Sequence, residues 1–327
     1  MGTPVKIGVI GLGHIARDQM KALAKVEQYE IAAVCDSDRN KEKQFHLEVP
    51  FYDDYQDLLA ENLDAVLIST PNLTHYEICK YALLKGKHVL LEKPAVPSTE
   101  LLRKLKHISE EQNVIFSIAY HASFAKDLLW FLEEYKTNGI EKFGPITGFH
   151  CKFYDPYLIN GDLQTHAISL QGSWIDSGIN ALSVLEKLLP IQHVHIVDSR
   201  LSEIKGIPCK EVQGSVDFTF PIQGTRKIGR GQIDTNWTLG KNSKQTILYF
   251  DDTNQSIILE HSKQQVIKVD PDQTTSVLQD FSNENTRLVN HYDGVFNEFY
   301  NHLSNGTNNL PMSLRLHRLL YAPYSLT

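Results

Sequence analysis

Cysteine is scarce and unpaired in this sequence. The four residues Cys35, Cys79, Cys151 and Cys209 lie far apart with no C-x-x-C spacing. That excludes a disulfide framework and a thiolate zinc site, and it predicts four reduced thiols in a cytoplasmic protein. The sequon Asn72-Leu73-Thr74 then carries no meaning as a glycan acceptor. Lys/Arg runs are also missing, and the formal net charge is −7, which argues against a surface that neutralises nucleic-acid phosphates. No apolar run approaches the ~20 residues of a membrane span. The opening stretch MGTPVKIGVIGLGHIARDQ turns polar too early for a signal peptide. His193-x-His195 has no carboxylate or cysteine partner in view, so no metal is expected. Internal repeats and low-complexity segments are absent too.

What is present reads as an ordinary globular chain, with 42% apolar and 22% charged residues over 327 positions. At ~150 residues per domain that length predicts two domains. From Val5 to about Ile118, short apolar runs alternate with amphipathic segments. Residues 6–11, 31–35, 65–69, 88–92 and 114–118 read as buried strands, and 14–26, 38–47, 53–62, 74–85 and 98–112 as helices. This rhythm predicts βαβ crossovers and a doubly wound parallel sheet over residues 1–122. After His121 the rhythm changes. Helices are expected at 124–135, 178–189, 291–303 and 312–321. Strand-like runs at 146–155, 193–201, 215–220, 227–237, 246–250 and 256–260 are separated by turn signals such as Asp251-Asp252 and Pro271. Residues 123–327 therefore read as an α+β domain on a large, mostly antiparallel open sheet.

The first strand runs into Gly11-Leu12-Gly13-His14-Ile15-Ala16 and then a helix. Gly11 permits the tight turn, Gly13 lets backbone approach a pyrophosphate, and Ala16 allows close helix–strand packing. The helix N-terminus supplies free N–H groups to the anion. Gly11, Gly13, His14 and Ile15 are thus candidate dinucleotide contacts. Asp36 closes the second strand 20 residues after Ala16, where a carboxylate accepts from a ribose 2′-OH and repels a 2′-phosphate. This favours NAD over NADP, although Arg39 nearby could accommodate a phosphate.

Two further stretches fall at carboxyl ends of strands, where open α/β sheets place their ligands. They are Ser69-Thr70-Pro71-Asn72-Leu73-Thr74-His75 and Glu92-Lys93-Pro94, in which the proline ends the strand and leaves Lys93 free to project. Together with GVIGLGHIARDQ, the T-P-N-x-x-H stretch and LLEKP resemble the Gfo/Idh/MocA oxidoreductase family. The resemblance is strongest before residue 125. It implies a Rossmann domain followed by an open-sheet domain, with Lys93 contacting both nicotinamide ribose and substrate. It also implies that Thr70, Pro71, Asn72, His75 and Glu92 line the cofactor site.

Family members commonly carry a histidine as general acid/base in a D-x-G-x-H motif. This chain reads Asp176-Ser177-Gly178-Ile179-Asn180. Asn180 exchanges no proton near neutral pH and can only orient a hydroxyl, which leaves Asp176 as the candidate base. The string from Asp176 to Ser183 resembles the D-P-G-I-N-A-L-S segment of the L-arabinose/D-galactose 1-dehydrogenase branch. That likeness implies oxidation of an aldose at C1 to a lactone, with His121 and Asp155 beside Asn180 as substrate-binding residues. The branch often has a tryptophan-rich stretch before its motif, whereas residues 163–168 here read LQTHAI. The 155–172 loop would therefore decide the sugar. Other readings of the same features are a dinucleotide- and sugar-binding regulator without turnover, or a dehydrogenase of inositol or another polyol. An apolar sheet face left uncovered predicts a homodimer or homotetramer.

Overall fold

The computed structural model describes residues 3–45, 48–250, 255–284 and 287–326, without the side chains of residues 138, 140 and 326. The expected turn at Asp251-Asp252 and the end of the expected helix 38–47 lie outside the described residues. The chain forms two compact units. One comprises residues through His121 together with Leu288–Leu314, and the other Ala122–Arg287 with the segment from Arg315 onward.

The first unit is built on strands β1 (Val5–Ile10), β2 (Tyr29–Cys35), β3 (Phe51–Tyr52), β4 (Ala65–Ile68), β5 (His88–Glu92) and β6 (Phe116–Ala119). They run parallel in the order β3-β2-β1-β4-β5-β6, the doubly wound arrangement that the alternating pattern predicts. The near-continuous apolar runs follow from cover on both faces. All of β4 is buried, as is β5 after His88, and each buried Val, Leu or Ile contributes about 1.5–3 kcal/mol. The short strand β3 is missed by pattern because two residues carry no periodicity.

Between the strands run α1 (Ala16–Leu23), α2 (Asn40–Phe45), α3 (Tyr55–Ala60), α4 (His75–Leu84) and α5 (Thr99–Glu111). Side chains start two of them: Asp54 accepts from Gln56 N–H at 2.8 Å, and Ser98 Oγ accepts from Leu101 N–H at 3.2 Å.

Among the described residues the second unit holds α6 (Lys126–Glu134), α7 (Ile140–Phe143), α8 (Ile179–Leu188) and ten strands. Eight strands form one sheet: β7 (Ile146–Tyr154), β10 (His195–Ser202), β11 (Gln213–Pro221), β12 (Ile228–Asn236), β13 (Ser243–Phe250), β14 (Ser256–Glu260), β15 (Gln265–Val269) and β16 (Thr275–Asp280). Their order is β10-β11-β12-β7-β13-β14-β15-β16, antiparallel except for the β12–β7 pair. A separate hairpin, β8 (Leu158–Ile159) with β9 (Asp162–Leu163), sits inside the 155–172 loop. β15 and β16 are not expected from the sequence, because their runs mix Lys, Gln and Asp with few apolar residues. His193 lies in a 3₁₀ turn before β10 rather than on the same strand as His195.

The helix α9 (Arg287–Asn305) belongs from Leu288 onward to the first unit, a return that a boundary at 122/123 does not anticipate. Its apolar stripe, Tyr292, Val295, Phe296 and Phe299, is fully buried. Tyr29 OH donates to Phe296 O at 3.0 Å. Beyond it, Asn309 accepts from Ile118 N–H at 2.9 Å and donates to Ile118 O at 2.8 Å, so a side-chain amide pairs with β6 as a strand would. Two further helices, α10 (Leu310–Tyr321) and α11 (Pro323–Leu326), follow. Among the described residues no helix is long and apolar enough to cross a membrane.

Candidate functional site

In the first unit the glycine turn follows β1 directly. Gly11 has φ +97°, and a Cβ there would lie 2.6 Å from Ser69 O, so no other residue fits. A Cβ on Gly13 would meet nothing within 4 Å. The two glycines therefore differ. Gly11 is required by the fold itself, whereas Gly13 leaves open space over the backbone, the kind of cradle a pyrophosphate fills. His14 is exposed and Ile15 half-buried immediately before α1.

Asp36 is half-buried at the end of β2. Its carboxylate accepts from Leu12 N–H at 2.8 Å and Asp38 N–H at 2.9 Å, which ties it to the glycine turn. Arg39 is exposed and paired with Asp53 at 2.9 Å, a bond that holds the Asp53 carboxyl below its ordinary range.

The T-P-N-x-x-H and E-K-P loops follow β4 and β5. His75 is wholly buried between them, with Nε2 2.8 Å from Thr70 O and Nδ1 3.1 Å from the carbonyls of Pro94 and Ala95. Burial lowers its pKa, so the ring stays neutral and acts as a strut between the two loops. Thr74 Oγ1 donates to Pro71 O at 2.7 Å, Asn72 is buried, and Pro71 is exposed at the start of the turn.

Glu92 is buried and accepts from Gln19 at 2.8 Å, Tyr292 OH at 2.5 Å and Lys93 N–H at 3.0 Å. Burial raises its pKa, opposed by Tyr292, Lys93 and Gln19. Glu92 is thus enclosed by protein donors, while Lys93 beside it is only half-buried. His121, at the end of the same unit, stacks on His291 with ring planes 22° apart and Nδ1 atoms 3.3 Å apart.

In the second unit Asp155, Asp176, Ser177 and Asn180 are all buried. Ser177 Oγ donates to Asp155 Oδ2 at 2.7 Å, and Lys244 Nζ donates to Asp155 Oδ1 and, at 3.0 Å, to Asn242. Burial lowers the Lys244 pKa with help from Arg287, and the carboxylates of Asp155 and Asp176 oppose it. Tyr157 has its pKa raised by burial and then by Asp176 and Asp155.

Asp176 does not cap a helix. It sits within a π-helical turn, Trp174–Gly178, that continues into α8. This wider turn is not visible as a period in the sequence. Asn180 Nδ2 donates to Asp176 O at 3.3 Å, and Asn180 Oδ1 is buried without a hydrogen-bond partner. Asp155 follows β7, with its N–H on Asn236 O at 3.0 Å. The loop after it packs as its own cluster, Leu158, Ala167, Val212 and Trp237, with Tyr157 edge-on to Trp237.

The structure therefore brings Asp155, Asp176 and Asn180 into one buried cluster. It adds Lys244, Tyr157 and Arg287, which no motif singles out. In the other unit it joins Glu92 and His121 to Tyr292 and His291 of α9. Lys244 carries one sequence signal: it is a lysine at a buried-face position of an otherwise alternating strand. Among the described residues no group of three or more His, Cys, Asp or Glu could hold a metal ion.

Residues 5–120 match a family model described as an oxidoreductase family with an NAD-binding Rossmann fold. A D-glucoside 3-dehydrogenase of Escherichia coli is 33% identical over 146 residues, 42% of this chain and 40% of that protein. A UDP-N-acetylglucosamine 3-dehydrogenase of Acidithiobacillus ferrooxidans is 33% identical over 118 residues, 36% of this chain and 37% of that protein. The matches thus span under half the length of these relatives. The solved structure of a 3-ketoreductase from Actinomadura kijaniata with NADP superposes with a TM-score of 0.81 over 99% of this chain and 97% of that one. At 20% identity this is a likeness of fold. Over residues 5–120 this chain is thus similar to the Gfo/Idh/MocA oxidoreductases.

Proposed function

We propose that this protein is a nicotinamide-dependent oxidoreductase that moves a hydride between its cofactor and a sugar carbon. The preferred reaction is oxidation at C1 of an aldose to a lactone. The observation that carries this reading is Asn180 Oδ1, a buried acceptor with no donor, one helical turn from the Asp176 carboxylate. An unpaired buried amide oxygen costs roughly 1–3 kcal/mol, and a ring hydroxyl is a donor that relieves that cost.

The open space over Gly13 and the carboxylate of Asp36 fit a dinucleotide, with Gly11, His14, Ile15, Thr70, Pro71, Asn72 and Lys93 around it. When bound, the nicotinamide supplies the hydride acceptor. Asp36 favours NAD, and Arg39 is already engaged by Asp53 rather than standing ready for a 2′-phosphate. Asp176 takes the proton of the reacting hydroxyl, Lys93 stabilises the negative charge that develops on that oxygen, and Asn180, Asp155 and His121 hold neighbouring hydroxyls. Glu92 and His75, enclosed by protein groups, shape the loops around Lys93 instead of touching ligand.

A second reading has a specific observation behind it. Two relatives are named as 3-dehydrogenases, which favours a secondary ring hydroxyl at C3 of a hexoside. One assay separates the readings: NADH appearance at 340 nm with NAD and a panel of L-arabinose, D-galactose, D-fucose, D-xylose, methyl glucosides and myo-inositol. Turnover of free aldoses but not of their methyl glycosides supports C1 chemistry. Turnover of the glycosides supports C3. Silence across the panel with NAD still bound contradicts both and favours a sugar-sensing regulator.

A further inference from the structure

Glu211 is a charged residue with no exposed surface and no part in the chemistry above. Its Oε1 accepts from Trp174 N–H at 2.9 Å, at the first residue of the π-helical turn that carries Asp176. Its Oε2 accepts from Tyr324 OH at 2.8 Å, in α11 near the end of the chain. The backbone is shaped to allow this approach: a Cβ on Gly172 would lie 2.1 Å from Oε1. A second tie runs the same way, because the Trp174 indole donates to Leu320 O of α10 at 2.7 Å. Residues 37 and 113 positions apart thus meet at the start of one turn. Within that turn Asp176 N–H donates to Gly172 O at 3.0 Å. Carboxylates favour the N-terminal ends of helices, where free N–H groups and the helix dipole point at them.

We infer that Glu211, anchored by Tyr324, is a positioning residue that fixes the rotation of the Trp174–Gly178 turn and so aims the Asp176 carboxylate at the reacting hydroxyl. This rests on the reading of Asp176 as proton acceptor. Burial pushes the Glu211 carboxyl up to about 7, so ionised Glu211 is held at a cost, and glutamine of the same shape would avoid it. The groups that face it are Tyr324, Lys210 and the thiol of Cys209. A tilt of the turn that displaces Asp176 by about 1 Å is enough to cost on the order of 100-fold in rate.

The test uses the full chain with Glu211→Gln, Tyr324→Phe and, as reference, Asp176→Asn. Hydrogen exchange by mass spectrometry comes first, since it needs no substrate. Both positioning variants should speed exchange in residues 173–178 at least about tenfold while β11 and β12 stay protected. Unchanged exchange there, or a rise spread over the whole unit, overturns the inference. With an aldose that turns over, kcat should fall about tenfold or more in both variants, with sugar KM and NAD affinity within about twofold of the parent. Full kcat in Tyr324→Phe and Glu211→Gln alongside a dead Asp176→Asn overturns the positioning role alone. Full kcat in Asp176→Asn instead overturns the assignment of the base.

Discussion

In the proposed reaction Asp176 takes the proton and Asn180, one helical turn on, orients a hydroxyl. Removal of the base is therefore separable from loss of binding. Asp176→Asn should lower kcat by about 100-fold or more, the range general base catalysis supplies, with NAD affinity unchanged in a fluorescence titration; unchanged turnover would remove Asp176 from the reaction. Asp36→Ala should weaken NAD more than NADP, because it deletes the ribose acceptor and the repulsion of a 2′-phosphate together. Equal losses in paired titrations would contradict the preference. The residues behind these predictions are legible in the sequence because they sit in short motifs, Asp36 just after β2 and Asp176 just before α8. Lys244 is not. The β13–β7 register places it opposite Phe153, two positions before Asp155, so its pairing with that carboxylate depends on strands 89 residues apart. His291 and Tyr292 are hidden for the same reason: they reach His121 and Glu92 only through the return of α9.

Among the elements, the turn after β1 and the π-helical turn before α8 make opposite demands on their surroundings. Gly11→Ala would force a Cβ into Ser69 O at φ +97° and should destabilise the fold by about 1–3 kcal/mol as well as abolish cofactor binding. Gly13→Ala meets nothing in the protein. It should melt as the parent does yet bind NAD at least about tenfold more weakly; normal NAD affinity in that variant would move the pyrophosphate elsewhere. At the second turn, Glu211 predicts a pH dependence with a definite sign. Its carboxyl is raised from 4.5 to about 7 in the folded chain. Between those values the folded state holds the extra proton, so stability is full below about pH 4.5 and declines as pH rises to about 7. The loss from this one group is about 3 kcal/mol. Denaturant unfolding from pH 5 to 8 should show that decline, and Glu211→Gln should flatten it. A parallel decline in the variant would assign the effect to other groups. The π turn itself is absent from any reading of the sequence, since the 3.6-residue periodicity of 178–189 simply extends back through it. β15 and β16 are missed because their mixed polar runs gain order only from pairing at the sheet edge.

For the whole chain, both sheets are legible in the hydrophobic rhythm, because parallel strands covered on both faces and half-covered antiparallel strands leave different patterns. The expectation of one apolar outer face needs correction. Across the sheet, one register row runs Asp198, Asp217, Gln232, His150, Ile247, Ile258, Ile267 and Val277, polar in its first half and apolar in its second. His150 and Asp234 pair at 2.6 Å on the polar side. Self-association as a dimer or tetramer is therefore proposed through the β13–β16 half, and Ile258→Lys should shift the mass measured by light scattering to the monomer; an unchanged mass would rule that half out. The central claim is hydride transfer from a sugar C1, and it is tested most directly with an aldose deuterated at C1. Mass spectrometry of the cofactor after turnover should find deuterium in the reduced nicotinamide. Reduced cofactor carrying no deuterium would contradict the account, because the hydride would then have come from another carbon.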